Sequence, residues 1–163
     1  MDTDYPRLVN AMALVCGSFP AAEDAVQEAL ARAWERSERG QYIGSIPGWV
    51  ATVARNLLRD RFRRAMAEAR ARRRLAARPE GSSGMAQVER RADVERALAG
   101  LSKRQREVAV FHYFLDLEVA ETAGVLGVPN GTVKSALHRA RRSLAGALGE
   151  SVEQMEVGDV GDR

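Results

Sequence analysis

A single cysteine, Cys16, stands in 163 residues, which excludes an intramolecular disulfide and any cysteine-cluster zinc site. No apolar run approaches the roughly 20 residues that cross a bilayer. The opening Met1-Asp2-Thr3-Asp4 is acidic, unlike a secretory signal. These absences predict a soluble, cytoplasmic protein with no membrane insertion. Aromatic residues make up only 6% of the chain and β-branched runs are few, while Ala and Arg are abundant; this composition favours helices over sheets. The two histidines, His112 and His138, fall on separate predicted helices. There is no glycine-rich loop followed by Lys-Ser/Thr, no nucleophile elbow and no paired-histidine spacing. Gly81-Ser82-Ser83-Gly84 has the composition of a linker, not of a catalytic serine site. The expectation is a protein without catalysis, metal or cofactor, with His112 and Cys16 as structural residues, Cys16 packed as a small hydrophobe.

What is present is globular composition, 45% hydrophobic and 29% charged, with a net charge of +3. That total conceals a strong unevenness. Residues 55–78 carry ten Arg against Asp60 and Glu68, a net of +8, whereas residues 1–54 sum to −3 and residues 149–163 to −4. Of the 25 basic residues only Lys103 and Lys134 are lysines. A dense basic block between acidic flanks suggests a nucleic-acid surface.

Helical periodicity divides the chain into seven segments. The first runs from about Tyr5 to Cys16 and is stopped by Gly17-Ser18-Phe19-Pro20. The second, Ala21 to Arg36, carries two stripes. Val26, Leu30, Ala33 and Trp34 are predicted to face a core, and Asp24, Gln27, Glu28 and Glu35 form a polar ridge on another side. Gly40 to Gly48 is a breaker-rich loop containing Tyr42, Ile43 and Ile46. A third helix opens near Pro47 and extends to about Ala77, with Trp49, Val53, Leu57, Leu58 and Phe62 on its apolar side and Arg55, Arg59, Arg63 and Arg64 on the others. Arg78-Pro79-Glu80 and the Gly-Ser run after it mark a flexible linker. Beyond it lie helices at about Val88–Ala99, Ser102–Phe114 (opened by a capping-box pattern), Glu118–Leu126 and Gly131–Leu148. The predicted architecture is all-α, with two small helical domains over residues 1–76 and 90–148, a linker over 77–89 and an acidic, frayed tail over 149–163.

The last two helices, the first closed by Gly127 and the turn made by Val128-Pro129-Asn130, have the layout of a helix-turn-helix. Val133, Leu137, Ala140, Leu144 and Leu148 repeat every three or four residues and predict a buried side. Lys134, Ser135, His138, Arg139 and Arg142 are left outward, as a recognition helix requires. Lys and Arg donate to guanine O6 and N7, Ser and His bond bases or phosphates, and Thr132 with the helix N-terminus can hold a phosphate.

Three strings resemble the extracytoplasmic-function (ECF) sigma factors. Ala22-Glu23-Asp24-Ala25-Val26-Gln27-Glu28 through Trp34 resembles their core-polymerase-binding helix. Ile46-Pro47-Gly48-Trp49 through Arg64 is similar to their promoter −10 segment, and Gly127-Val128-Pro129-Asn130-Gly131-Thr132-Val133-Lys134-Ser135 through Arg141 to their −35 helix. The three occur in order and are spread along the chain from residue 22 to residue 141. The resemblance implies a non-catalytic factor that binds core RNA polymerase and directs initiation at promoters by reading two elements. It implies that Asp24, Gln27, Glu28 and Glu35 dock on the clamp helices of the polymerase largest subunit. Tyr42, Ile43, Trp49 and Asn56 would capture an unstacked −10 base, with Arg55, Arg59 and Arg63 holding phosphates. Thr132, Lys134, Ser135, His138, Arg139 and Arg142 would touch the −35 element, and the C-terminal domain would bind the polymerase flap. It further implies an anti-sigma protein as a partner and a monomer within the holoenzyme. Departures from the family pattern are Thr122, where Ile is usual, and Gly124, where a bulky or acidic residue is usual. Two other readings stay open at this level: a stand-alone helix-turn-helix regulator, which predicts a dimer on a palindromic site, and a helical adaptor that does not bind DNA.

Overall fold

The computed structural model describes residues 4–73 and 96–148, and every regular element among them is helical. The expected linker, the helical extension to Ala77, the start of the helix before Arg96 and the acidic tail lie outside the described residues. The chain forms two separately packed units, one within residues 1–85 and the other within 86–163.

The first unit is a three-helix assembly of α1 (Asp4–Cys16), α2 (Phe19–Glu38) and α3 (Ile46–Arg73). Ser18 is the reason α2 starts where it does: its extended backbone and its Oγ, which accepts from the Ala21 amide at 3.4 Å, cap the helix. Phe19 and Pro20 therefore belong to the first turn of α2 and do not merely stop α1, since Pro lacks only an amide that has no partner there anyway. Ser45 does the same for α3, its Oγ accepting from the Gly48 amide at 3.2 Å. Leu8, Val9 and Met12 of α1 meet Val26 and Ala29 of α2 and Val50 and Ala54 of α3 in the core. Small residues dominate α2 and α3 there, so the helices approach closely.

Two expected core residues are outside. Trp34 is 66% exposed. Val26, Leu30 and Trp34 step by four, and each such step rotates about 40° past a full turn, so a stripe that begins buried at Val26 is half-buried at Leu30 and in solvent at Trp34. Phe62 is 63% exposed. It stands about 80° around α3 from the buried Ala54, next to Arg61, whose guanidinium pairs with Asp24 in the second turn of α2. Trp49, Val53, Leu57 and Leu58 are half-buried; the fully covered positions are Val50, Ala51 and Ala54. Cys16 is exposed too, with its Sγ 3.3 Å from the Ser18 carbonyl. Desolvation of the sulfur still raises the thiol pKa above its ordinary value.

The second unit contains the helical residues 96–99 (α4), α5 (Lys103–Ala109), α6 (Val119–Leu126) and α7 (Asn130–Leu148). The expected capping box is present: Ser102 Oγ accepts from the Gln105 amide at 3.4 Å, and Gln105 Oε1 accepts from the Ser102 amide at 2.9 Å. Arg106 ties α5 to the end of α4, its Nε donating to the Leu98 carbonyl at 3.0 Å and its Nη2 to Ala99 and Leu101 at 3.4 Å. After Ala109 the backbone widens into one π-helical turn, Val110–Phe114, which the periodicity did not predict. Phe111, Leu115 and Val108 are buried as expected. Asp116 turns the chain with φ 53°, and the Leu117 carbonyl behind it accepts from two side chains, His112 Nδ1 at 2.8 Å and Thr122 Oγ1 at 3.5 Å. A carbonyl only accepts, so Nδ1 carries the His112 proton. Thr122, fully buried, thus keeps its hydroxyl bonded at the position where it departs from the family pattern.

Candidate nucleic-acid interface

Gly127 fixes the turn between α6 and α7. It adopts φ 64°, and the amides of Gly127 and Val128 bond back to the carbonyls of Gly124 and Ala123 at 3.3 and 3.1 Å. This left-handed ending reverses the chain within Gly127-Val128-Pro129, and the Pro129 carbonyl then receives the amides of Thr132 and Val133 in the first turn of α7. One side of α7 is pinned to the unit by Val133, Ala136, Leu137, Ala140 and Ala145. Ala136 and Ala145 complete a stripe in which the sequence picked Leu144, which is only half-buried; the side chain of Leu148 lies outside the described residues.

Thr132, Lys134, Ser135, His138, Arg139 and Arg142 are all exposed. At about 100° per residue they fall within an arc of about 160° centred opposite Val133 and Ala140, so the fold gathers them on one outward face. Ser135 Oγ donates to the Thr132 carbonyl at 3.1 Å, and Arg139 lies back along the helix with its Nε on the Ser135 carbonyl at 3.2 Å. The face presents two full cations in its first three turns, and Arg142 follows one turn on. Such a surface can donate to guanine edges and to phosphates together.

In the first unit the −10 candidates divide. Trp49, Asn56, Arg59 and Arg63 lie within about 80° of one another around α3, on the side away from Val50 and Ala54. Asn56, Arg59 and Arg63 are exposed and Trp49 half-buried. Arg63 is ion-paired to Asp60 one turn back. Tyr42 is 87% exposed in the loop before α3, with Ile43 half-buried next to it. Arg55 departs from the set. It is only 8% exposed, because the residue after Ala54 turns about 100° from Asn56, back toward the core; it is not part of the outward basic stripe.

The ridge on α2 is where the sequence placed it, with Asp24, Gln27, Glu28 and Glu35 all exposed. Its carboxylates are partnered within the chain: Asp24 with Arg61 at 3.4 Å, Glu28 with Arg32 at 2.9 Å, and Glu35 with Arg39 at 3.3 Å. Gln27 Nε2 donates to the Tyr5 hydroxyl of α1 at 3.1 Å. Sequence reasoning missed the exposed Trp34 beside this ridge, although the rotation of a four-residue step carries the signal.

Comparison with known proteins agrees with both halves of this geometry. Residues 1–68 match the family described as Sigma-70 region 2, and residues 91–144 the family described as Sigma-70, region 4. ECF RNA polymerase sigma factor SigL of Mycobacterium tuberculosis (strain ATCC 25618 / H37Rv) is 37% identical over 145 residues, covering 82% of this chain and 78% of SigL. The chain belongs to the ECF sigma factor family. SigM of the same strain is also 37% identical, over 128 residues that make up 78% of this chain; the match spans 64% of SigM, a little under two thirds of its length. Among solved structures, the sigma factor RpoE crystallised with the anti-sigma factor NepR from Bartonella quintana superposes with a TM-score of 0.71 at 26% identity, over 89% of this chain and 91% of RpoE. The resemblance read from the three strings is borne out. For an ECF sigma factor, α1–α3 is the region 2 unit and the α6–α7 helix-turn-helix lies in region 4.

Proposed function

We propose that this chain is an alternative sigma factor that binds bacterial core RNA polymerase and directs initiation at promoters with a two-part −35/−10 element. The observation that carries this is α7. A helix held by a continuous buried stripe, entered through a left-handed glycine turn, exposes Lys134, Ser135, His138, Arg139 and Arg142 on one face. It does so in a chain whose other unit matches Sigma-70 region 2. In this account α7 enters the major groove of the −35 element, while Tyr42, Ile43, Trp49 and Asn56 take up an unstacked −10 base and Arg59 and Arg63 hold phosphates. The α2 ridge docks on the clamp helices of the polymerase largest subunit, and the region 4 unit sits on the flap. The chain has no catalytic role of its own, acts in the cytoplasm and works as a monomer within the holoenzyme. An anti-sigma partner is supported by the RpoE relative, which was crystallised with one.

The test is promoter selection from genomic fragments by holoenzyme, followed by fluorescence anisotropy on the selected site. Replacing Lys134 or Arg139 by Ala should each cost about 1–3 kcal/mol of promoter affinity. Asn56→Ala should leave closed-complex affinity nearly unchanged while lowering permanganate reactivity of −10 thymines. Tight binding to a palindrome by a dimer of the chain without polymerase would instead favour a stand-alone regulator.

A further inference from the structure

The α2 ridge is less acidic than its sequence. Each of its three carboxylates is matched by a guanidinium of the same chain, Arg61 for Asp24, Arg32 for Glu28 and Arg39 for Glu35, and the amide of Gln27 is bonded to Tyr5. The ridge offers a partner no net negative charge to attract a basic surface. Exposed ion pairs of this kind contribute little and weaken with salt. Next to them stands Trp34, 66% exposed. It lies seven residues from Gln27, about 20° around the helix, with Ala31 exposed one turn before it. The core of the unit faces the other way, through Ala22, Ala25, Val26, Ala29 and Ala33. Aromatic side chains with a small neighbour are what a partner's apolar socket takes, and tryptophan carries a disproportionate share of interface energy.

We infer that Trp34 is the anchor of the polymerase-docking ridge: its indole fills an apolar socket on core polymerase, Ala31 allows close approach, and the ion pairs form a polar rim that sets orientation. The inference rests on the sigma reading of α2 and names the residue from which that contact draws its affinity. The rim pairs can open and exchange with charges of the partner, but they exclude water around the indole in either arrangement. The interface is accordingly only weakly dependent on salt.

The experiment uses the full chain labelled at Cys16, its single and exposed cysteine, at the opposite end of α2 from Trp34, with binding to core polymerase read by fluorescence anisotropy. Trp34→Ala should weaken binding at least about thirtyfold and Trp34→Phe by less than about fivefold. Gln27→Ala with Glu28→Ala should cost less than Trp34→Ala. Raising NaCl from about 0.1 to 0.4 M should change wild-type affinity by less than about tenfold. Far-UV circular dichroism should be the same for all variants, since the indole is not part of the core. Wild-type-like binding by Trp34→Ala, within about threefold, overturns the inference while leaving the sigma reading intact. A dimer of the chain that Trp34→Ala dissociates, with polymerase affinity unchanged, assigns the face to a second copy and overturns it as well. Absence of any polymerase binding by the wild type defeats the sigma reading itself, and the anchor with it.

Discussion

Gly124 and Gly127 stand three residues apart at the end of α6 and do opposite things. Gly127 holds φ 64°, where an added Cβ is strained whatever the space around it. Gly127→Ala should therefore destabilise the unit by about 1 kcal/mol. Gly124 sits in the helix at ordinary φ, and a Cβ there would meet nothing within 4 Å. Gly124→Ala should stabilise α6 by about 0.5–1 kcal/mol. Amide hydrogen exchange of α6 checks both, slowing about two- to fivefold for Gly124→Ala and quickening for Gly127→Ala. Residue identity was less informative where it depended on neighbours. Arg55 reads as one more arginine of the basic block, yet a rotation of one residue puts it inside, and Cys16 reads as apolar yet ends α1 in solvent.

Elements were legible where local chemistry decides them. Ser102 with Gln105, Gly127 and the spacing of Val133, Leu137 and Ala140 all specify α5 to α7 before any tertiary contact is known. The start of α2 was less legible, because Phe19-Pro20 can end one helix or open the next and the Ser18 side chain chooses. The π-helical turn at Val110–Phe114 has no sequence period of its own, and Phe111, Leu115 and Leu117 are all buried in and after it. Burial was misjudged for Trp34 because a stripe stepping by four drifts about 40° per step out of the core face, and for Phe62 because periodicity gives a face but not how far the covering neighbours reach along it. Leu137 is 4% exposed, so Leu137→Ala should cost about 2–4 kcal/mol, a large fraction of the stability of so small a unit. Exchange protection over residues 96–148 should collapse. The fluorescence of Trp34 and Trp49, both in the other unit, should not change.

For the whole molecule, the net +3 is a poor guide and its distribution a good one. The outward stripe of α3 and the outward face of α7 belong to separately packed units, which suits a protein that reads two promoter elements at once. That the candidate residues on α7 share one outward face was legible because an amphipathic helix carries its polar face in its own periodicity. The candidates on α3 were legible only as a block, of which Asn56, Arg59 and Arg63 are exposed and Arg55 is buried. Phosphate contacts from both units should make promoter binding by the holoenzyme fall steeply with salt, in contrast to the polymerase contact anchored by Trp34. The most direct measurement is run-off transcription by purified core RNA polymerase on a genomic promoter library, with and without the chain. New, discrete start sites that share an upstream two-part element, and that disappear with Lys134→Ala and Arg139→Ala together, are the predicted result. A folded chain that binds polymerase yet yields no new starts, or starts indifferent to Lys134 and Arg139, would contradict it.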